Sequence, residues 1–291
     1  MGDALTCGRN DLSAYRAGFL TRLHSDHVTD LFTFFVQGFV GGGLGVGVQF
    51  QLYGPGNRGR LPHVFPPGRS ASAPFNPADP TPVTVGMLRS LFDAFGADIN
   101  DRMFDAAAGK IGDVVTGHNI ALPPGVHLCY DGTPPRMRPF RIYEDDRVRV
   151  LATLVSHGQV VPAYAFRFES DHGSIVISGD TTLTPNLLEL ADGCDLLLNE
   201  VIDYDSVNAS IDALPVGDEV KEAFRNHMFG AHTTEAQLRQ LVRDILVRTL
   251  ALHHVVPGDI GDRAWRRVAD RIGRGVRTTV IAGVDDMVIG V

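Results

Sequence analysis

The chain has 291 residues, 44% of them hydrophobic and 21% charged, with a formal net charge of −8. That length and balance suit one sizeable α/β domain and exclude a fibrous or largely disordered chain. The absence of any apolar run of about eighteen residues excludes a membrane-spanning helix, and Asp3, Arg9, Asp11 and Arg16 break up the opening stretch too often for a secretory signal. Cys7, Cys129 and Cys194 are widely spaced with no C-x-x-C, the usage of free thiols in a reducing cytoplasm.

Taken in chain order, an apolar run at 17–20 predicts a strand, and Val28 to Val36 predicts a helix. Between them lies Leu23-His24-Ser25-Asp26-His27, three metal-competent side chains within four positions. Imidazole and carboxylate are the ligand types that suit Zn²⁺, with Mn²⁺ or Fe as alternatives, and a short loop can aim all three at one point. The glycine run Gly41 to Gly47 lacks the G-K-[ST] ending and the GxGxxG spacing, so it reads as a loop feeding a strand at Val48–Tyr53 rather than as a phosphate cradle. A proline-rich passage from Leu61 to Pro82 predicts extended chain with little regular structure. Thr84 then opens a helical stripe of Met87, Leu88, Leu91, Phe92, Phe95, Ile99, Met103 and Phe104. That stripe either packs on a core or forms a lid whose apolar face favours a substrate with a hydrophobic portion. His118 and His127 read as bystanders.

The second half predicts alternating strands and helices. Arg147–Val155 is strand-like and runs into His157; Ser174–Ser178 is strand-like and ends in the turn that carries Asp180. Thr184-Pro185 starts a helix through Leu190, with Thr as cap and Pro in the first turn. Asp195–Asn199 is a strand, Val220–His227 a helix, Thr234-Glu235 opens a helix through Val247, and Thr249–His253 is a strand leading to His254. Asp262–Ile272 is a helix and Thr278–Ala282 a last strand.

Metal-competent residues at successive strand ends form an ordered set: T-R-L-H-S-D-H at 21–27, the isolated His157, S-G-D-T at 178–181, N-E-V at 199–201, A-H-T-T at 231–234 and H-H-V-V-P at 253–257. The set resembles the metallo-β-lactamase fold superfamily, in its ribonuclease Z and arylsulfatase-like branch of metal-dependent hydrolases, and it covers nearly the whole chain. The resemblance implies an αββα sandwich in a single domain spanning 1–291, with an insertion at about 57–140. It implies that His24, His157 and Asp180 serve one metal position and that Asp26, His27, Asp180 and His254 serve the other. It also implies that Glu200 orients His232 as a proton donor and that Asp26 orients the attacking water. The implied activity is hydrolysis by a metal-activated water of a carboxylic, phosphoric or sulfuric ester in a small or medium substrate. A ribonuclease Z-like phosphodiesterase that trims tRNA 3′ ends is an alternative, and a catalytically impaired binding protein is another.

Three departures bear on these implications. The branch's first motif is H-x-H-x-D-H, and Arg22 stands where its first His belongs. A guanidinium offers no lone pair and stays charged, so the first metal position is expected to be empty or weakly held. The residues ahead of the motif are too few for the strands that this superfamily places there, so the N-terminal strands are expected to be truncated, with the true start further upstream. The third departure concerns the substrate. The net charge of −8, with Lys110 and Lys221 as the sole lysines, argues against nucleic acid. The short stretch between His157 and Asp180 has room for a hairpin but not for the branch's RNA-gripping arm. A small-molecule substrate, no membrane and at most a homodimer are the partners expected.

Overall fold

A computed structural model describes residues 11–64, 68–106 and 109–291; Cys7 lies outside the described residues. The chain gathers into two compact units, Met1–Arg60 with Pro74–Ala121, and Leu61–Ala73 with Leu122–Val291.

The first unit is built on a three-stranded, all-parallel sheet of β1 (Ala17–Phe19), β2 (Phe50–Pro55) and β3 (Val115–Ile120), in that order. Parallel neighbours need crossovers, and helices supply them here. α1 (Ser25–Val28) and α2 (Leu31–Gln37) join β1 to β2; α3 (Thr84–Ala94), α4 (Gly96–Phe104) and the short α5 (Ile111–Val114) precede β3. Leu12, Phe35, Leu44, Phe50, Leu52, Leu88 and Val115 form its core, and the edge-to-face rings of Phe34, Phe35, Phe50 and Phe92 lock α2 and α3 to the sheet. The stripe expected as one helix from Thr84 is two helices that part at Phe95, whose φ of −110° and ψ of 21° leave helical geometry. Thr84 is not the cap: its hydroxyl donates to the Pro55 carbonyl at 3.1 Å, and Asn119 Oδ1 accepts the Val85 N–H at 3.1 Å instead. Of the stripe, Leu88 and Ile99 are buried, whereas Phe95 and Phe104 are exposed, Phe95 stacking on Phe32. His118 sits on β3, stacked on Tyr53 and bonded to Gln51 at 2.6 Å.

The second unit holds a seven-stranded mixed sheet, in spatial order β10-β9-β8-β7-β6-β5-β4. Its strands are β4 (Phe140–Glu144), β5 (Arg149–Leu154), β6 (Tyr164–Ser170), β7 (Gly173–Ile177), β8 (Cys194–Ile202), β9 (Val247–Val256) and β10 (Thr279–Ala282). β4 to β7 pair antiparallel and β7 to β10 parallel. The hairpin expected between His157 and Asp180 is β6–β7. α6 (Pro185–Ala191), α7 (Tyr204–Asp212), α8 (Asp218–Phe229), α9 (Glu235–Asp244) and α10 (Asp262–Gly273) complete the unit. Thr184 caps α6 by accepting the Leu187 N–H, and Thr234 with Gln237 forms a capping box on α9. Leu187, Leu190, Leu197, Leu238, Leu241, Leu250, Trp265 and Ile272 are among the residues of its main core.

α9 stops at Asp244 rather than reaching Val247. Asp192 Oδ1 takes the Leu246 N–H at 2.9 Å, and Val247 pairs with Cys194 as the first residue of β9. A β-branched residue at a sheet position is worth more there than in a last helical turn. Among the described residues no helix is long and apolar enough to cross a membrane.

Candidate metal centre

In the second unit, the ends of β5, β7, β8 and β9 deliver the chemistry. His157 follows β5 and is 2% exposed. Its Nδ1 donates to the Ala231 carbonyl at 3.0 Å, which fixes the tautomer and leaves Nε2 as the nitrogen with a lone pair. Gly132, at φ +88°, lets a neighbouring loop lie against Gly158; a Cβ there would stand 2.6 Å from the Gly158 carbonyl oxygen. Ser156 Oγ donates to the Gly132 carbonyl, so that loop braces the residue beside His157.

Asp180 follows β7 through Gly179, whose φ of +60° makes the turn. Its carboxylate is 5% exposed and faces two imidazoles: His254 Nε2 at 3.6 Å and His232 Nδ1 at 4.0 Å. One ligand atom each from His157, Asp180 and His232 lies within 4.8 Å of the others, and the same holds for Glu200, His232 and His254.

Glu200, near the end of β8, is fully buried. Its Oε1 accepts the Thr181 N–H at 3.1 Å and the Thr233 N–H at 2.8 Å, which ties the loop carrying Asp180 to the loop carrying His232. Thr233 Oγ1 donates to the Thr181 carbonyl and closes the same tie. Oε2 stands 3.3 Å from His232 Nδ1, and neither atom makes a well-aligned hydrogen bond. The contact is therefore electrostatic. Burial pushes the Glu200 carboxyl up to about 7, against the opposing pull of His232.

His254 owes its position to a β-bulge. Glu200 pairs with His253 and Val201 with Val255, so His254 is the extra residue on β9, and its φ of +43° lies in the left-handed region. A bulge re-aims one side chain without disturbing the pleat on either side. The neighbouring His253 is pushed down to about 4, chiefly by burial.

In the first unit, His24 precedes α1, while Asp26 and His27 lie within it. Asp26 Oδ2 is 3.3 Å from His27 Nε2, and the Asp26 side chain is 76% exposed. Arg22 is 3% exposed. Its Nε donates to His24 Nδ1 at 3.3 Å, and its terminal N–H group meets His27 Nε2.

The structure thus brings His157, Asp180, Glu200, His232 and His254 together in the second unit and places His24, Asp26 and His27 together in the first. The backbone amides of Thr181 and Thr233 were not anticipated from the sequence. The T that follows both the G-D and the A-H of the motifs was their only trace.

No family model matches the chain. Ribonuclease Z of Mycobacterium bovis (strain BCG / Pasteur 1173P2) is 25% identical over 268 residues, covering 91% of this chain and 76% of the relative. Ribonuclease Z of Mycobacterium marinum is 27% identical over the same extent, with the same coverage. Among solved structures, the short form of human tRNase Z matches with a TM-score of 0.50 at 14% identity, over 84% of this chain and 73% of that one. The fold and these relatives make the chain an enzyme of the metallo-β-lactamase fold. Within that class its likeness lies with the ribonuclease Z proteins.

Proposed function

We propose that the chain hydrolyses phosphodiester bonds with the help of a resident divalent metal, zinc being the ion its donors suit best. The observation that carries this reading is the contact of His254 with Asp180, beside the groups His157, Asp180, His232 and Glu200, His232, His254. Ligand atoms about 2.0–2.1 Å from a tetrahedral zinc stand about 3.4 Å apart. The 3.6 Å between His254 Nε2 and Asp180 Oδ2 suits that spacing. Asp180 and His254 would hold the ion, and His157 groups with Asp180 and His232 beside it. His24 and Asp26 enter the ligand set on the family pattern, as does the role of Asp26 in orienting water, and His27 is among the side chains grouped as able to hold a metal. A bound ion supplies Lewis acidity toward the phosphoryl oxygen and lowers the pKa of water.

The remaining chemistry belongs to side chains. With Nδ1 turned to Glu200, His232 has Nε2 left to protonate the departing oxygen, and Glu200 stabilises the imidazolium before the transfer. The names of the relatives point to RNA, against the expectation drawn from net charge. Exposed arginines support them: Arg263, Arg266 and Arg267 on α10, and Arg274 and Arg277 after it. Local positive charge of this kind can meet phosphates on a protein that is acidic overall. The short β6–β7 hairpin favours a second reading, a small ester.

Turnover of bis(p-nitrophenyl) phosphate, p-nitrophenyl acetate, p-nitrophenyl sulfate and a precursor tRNA with a 3′ trailer by the zinc-loaded protein decides between them. Diester and precursor cleavage that disappears in Asp180→Ala and His254→Ala is the expected result. Acetate or sulfate hydrolysis alone transfers the assignment to small esters. No turnover of any of the four by metal-loaded protein refutes the hydrolase reading.

A further inference from the structure

We infer that the chain binds a small phosphate-bearing molecule in a cleft at the end of the second unit's sheet away from the metal centre. The site goes beyond the hydrolase reading above and does not depend on it.

The cleft has a volume of about 800 Å³ and opens where the chain enters β8, β9 and β10. Pockets for small ligands run from about 300 to 1,000 Å³. β8 presents Cys194 to the cleft and Glu200 to the candidate centre. An extended strand advances roughly 3.3 Å per residue, so about 20 Å separates the two places. Three separate elements bring arginines to the cleft. Arg243 comes from the last turn of α9 and Arg248 from the second position of β9. Arg277 comes from the stretch before β10, after the chain has turned at Gly275 with a φ of +78°.

Asp195 is the one carboxylate among the residues lining the cleft. It is already engaged: Oδ2 receives the Ser174 N–H and hydroxyl, and Oδ1 lies 3.5 Å from Arg248. Arg243 and Arg277, by contrast, have no side-chain hydrogen bond or ion pair among the described residues. Three guanidinium groups against one carboxylate leave the lining positive, on a chain whose total is −8. A guanidinium presents paired N–H groups at the spacing of phosphate oxygens, and it keeps its charge at every working pH. The rest of the wall is apolar. Ile245 and Val276 pack against the main core, and Leu246 stands 75% exposed beside them. Apolar wall and convergent cations together suit a ligand with a flat or apolar body next to its phosphate, of mononucleotide size. A polyanion such as RNA is met by an open basic face, and a concave wall with apolar side chains serves it poorly.

Isothermal titration calorimetry on the metal-free full chain tests the site, with adenosine 5′-monophosphate, adenosine and inorganic phosphate as probes. The wild type should bind one adenosine monophosphate per chain, and adenosine at least tenfold more weakly. Arg243→Ala and Arg277→Ala should each weaken the nucleotide at least tenfold, the scale of a lost charge-assisted contact. Both side chains are exposed and unpartnered, so circular dichroism and thermal unfolding of these variants should match the wild type. Leu246→Ser should weaken the nucleotide several-fold and leave inorganic phosphate unchanged, and Asp180→Ala should change neither. No nucleotide binding at millimolar concentration overturns the inference, as does binding indifferent to both arginines or binding lost in Asp180→Ala. Inorganic phosphate held as tightly as the nucleotide overturns the assigned ligand class. A single-stranded RNA oligonucleotide bound at least tenfold more tightly than the nucleotide, through the same arginines, gives the cleft to RNA and overturns it too. Each of these failures leaves the hydrolase reading standing, because no turnover is measured.

Discussion

Replacing Glu200 by Ala and by Gln separates the structural work of this residue from its chemical work. Oε1 accepts two backbone N–H groups, from Thr181 and Thr233, in a fully buried setting. Glu200→Ala strands both donors where water does not reach. At roughly 1–3 kcal/mol for each unsatisfied buried group, the loss comes to about 4 kcal/mol, near a thousandfold in the folding equilibrium. Glu200→Gln keeps an oxygen at Oε1 for both donors and only exchanges charge-assisted bonds for neutral ones, a cost of about 1 kcal/mol that relief from burying a charge offsets in part. Urea unfolding of the metal-free proteins at pH 8, above the raised pKa of about 7, measures both. On the chemical side, Gln directs an amide N–H or a neutral oxygen at His232, so diester turnover should fall at least tenfold in both variants. Glu200→Ala as stable as Glu200→Gln would refute the tie between the two loops. Full turnover in Glu200→Gln would refute the role of the Glu200–His232 pair.

Three further outcomes follow from the geometry. His254→Gly should lose metal yet leave the metal-free protein as stable as the wild type or more so, because glycine sheds a left-handed penalty of about 1–2 kcal/mol against an unfolded-state entropy cost of about 0.5–1 kcal/mol; a drop of several kcal/mol in thermal or urea unfolding would contradict it. Burial pushes the Cys194 thiol up to about 11 while Cys129 is exposed, so iodoacetamide at pH 8 with peptide mapping should label Cys129 within minutes and Cys194 only after unfolding. The Asp195 carboxylate receives the Ser174 N–H at 2.8 Å and its hydroxyl at 3.1 Å, which holds its pKa below the ordinary value. Its stabilisation is therefore present above the unfolded-state pKa and lost as pH falls through the folded one. Asp195→Asn should flatten the acid limb of the stability profile, and an unchanged limb would sink the assignment.

Much of the second unit could be read from the sequence, because its ligands sit where apolar strands end and its helices begin with recognisable caps. Thr184-Pro185 and Thr234 with Gln237 are local signals, and local signals survive without knowledge of the fold. β3 and β4 were missed, since V-T-G-H-N-I and F-R-I-Y-E alternate too weakly to stand out from loops. α7 was missed as well; its Y-D-S-V-N-A-S-I-D carries only Val207 and Ile211 toward the core. Within the site, His157, Asp180 and His254 were visible as residue types at strand ends, but the amides of Thr181 and Thr233 could not be, because a backbone donor has no letter of its own. Nor did the sequence disclose the reach of Arg22. It showed a charge in place of an imidazole, whereas contact with both His24 and His27 depends on how the extended chain at 22–24 leads into the helix that carries His27. The arginines around α10 show how a total of −8 can conceal a local surplus.

The bulge on β9 separates two properties that usually vary together. Leu250 and Leu252 lie in the main core before the extra residue, and Val256 packs beside Ile202, Val207 and Ile211 after it. Deleting His254 would straighten the strand and leave Val255 and Val256 opposite Val201 and Ile202, because the residue removed is the one without a place in the ladder. The imidazole aimed at Asp180 would go with it. One residue of length at this point thus sets the ligand while the strand pairing on either side keeps its partners.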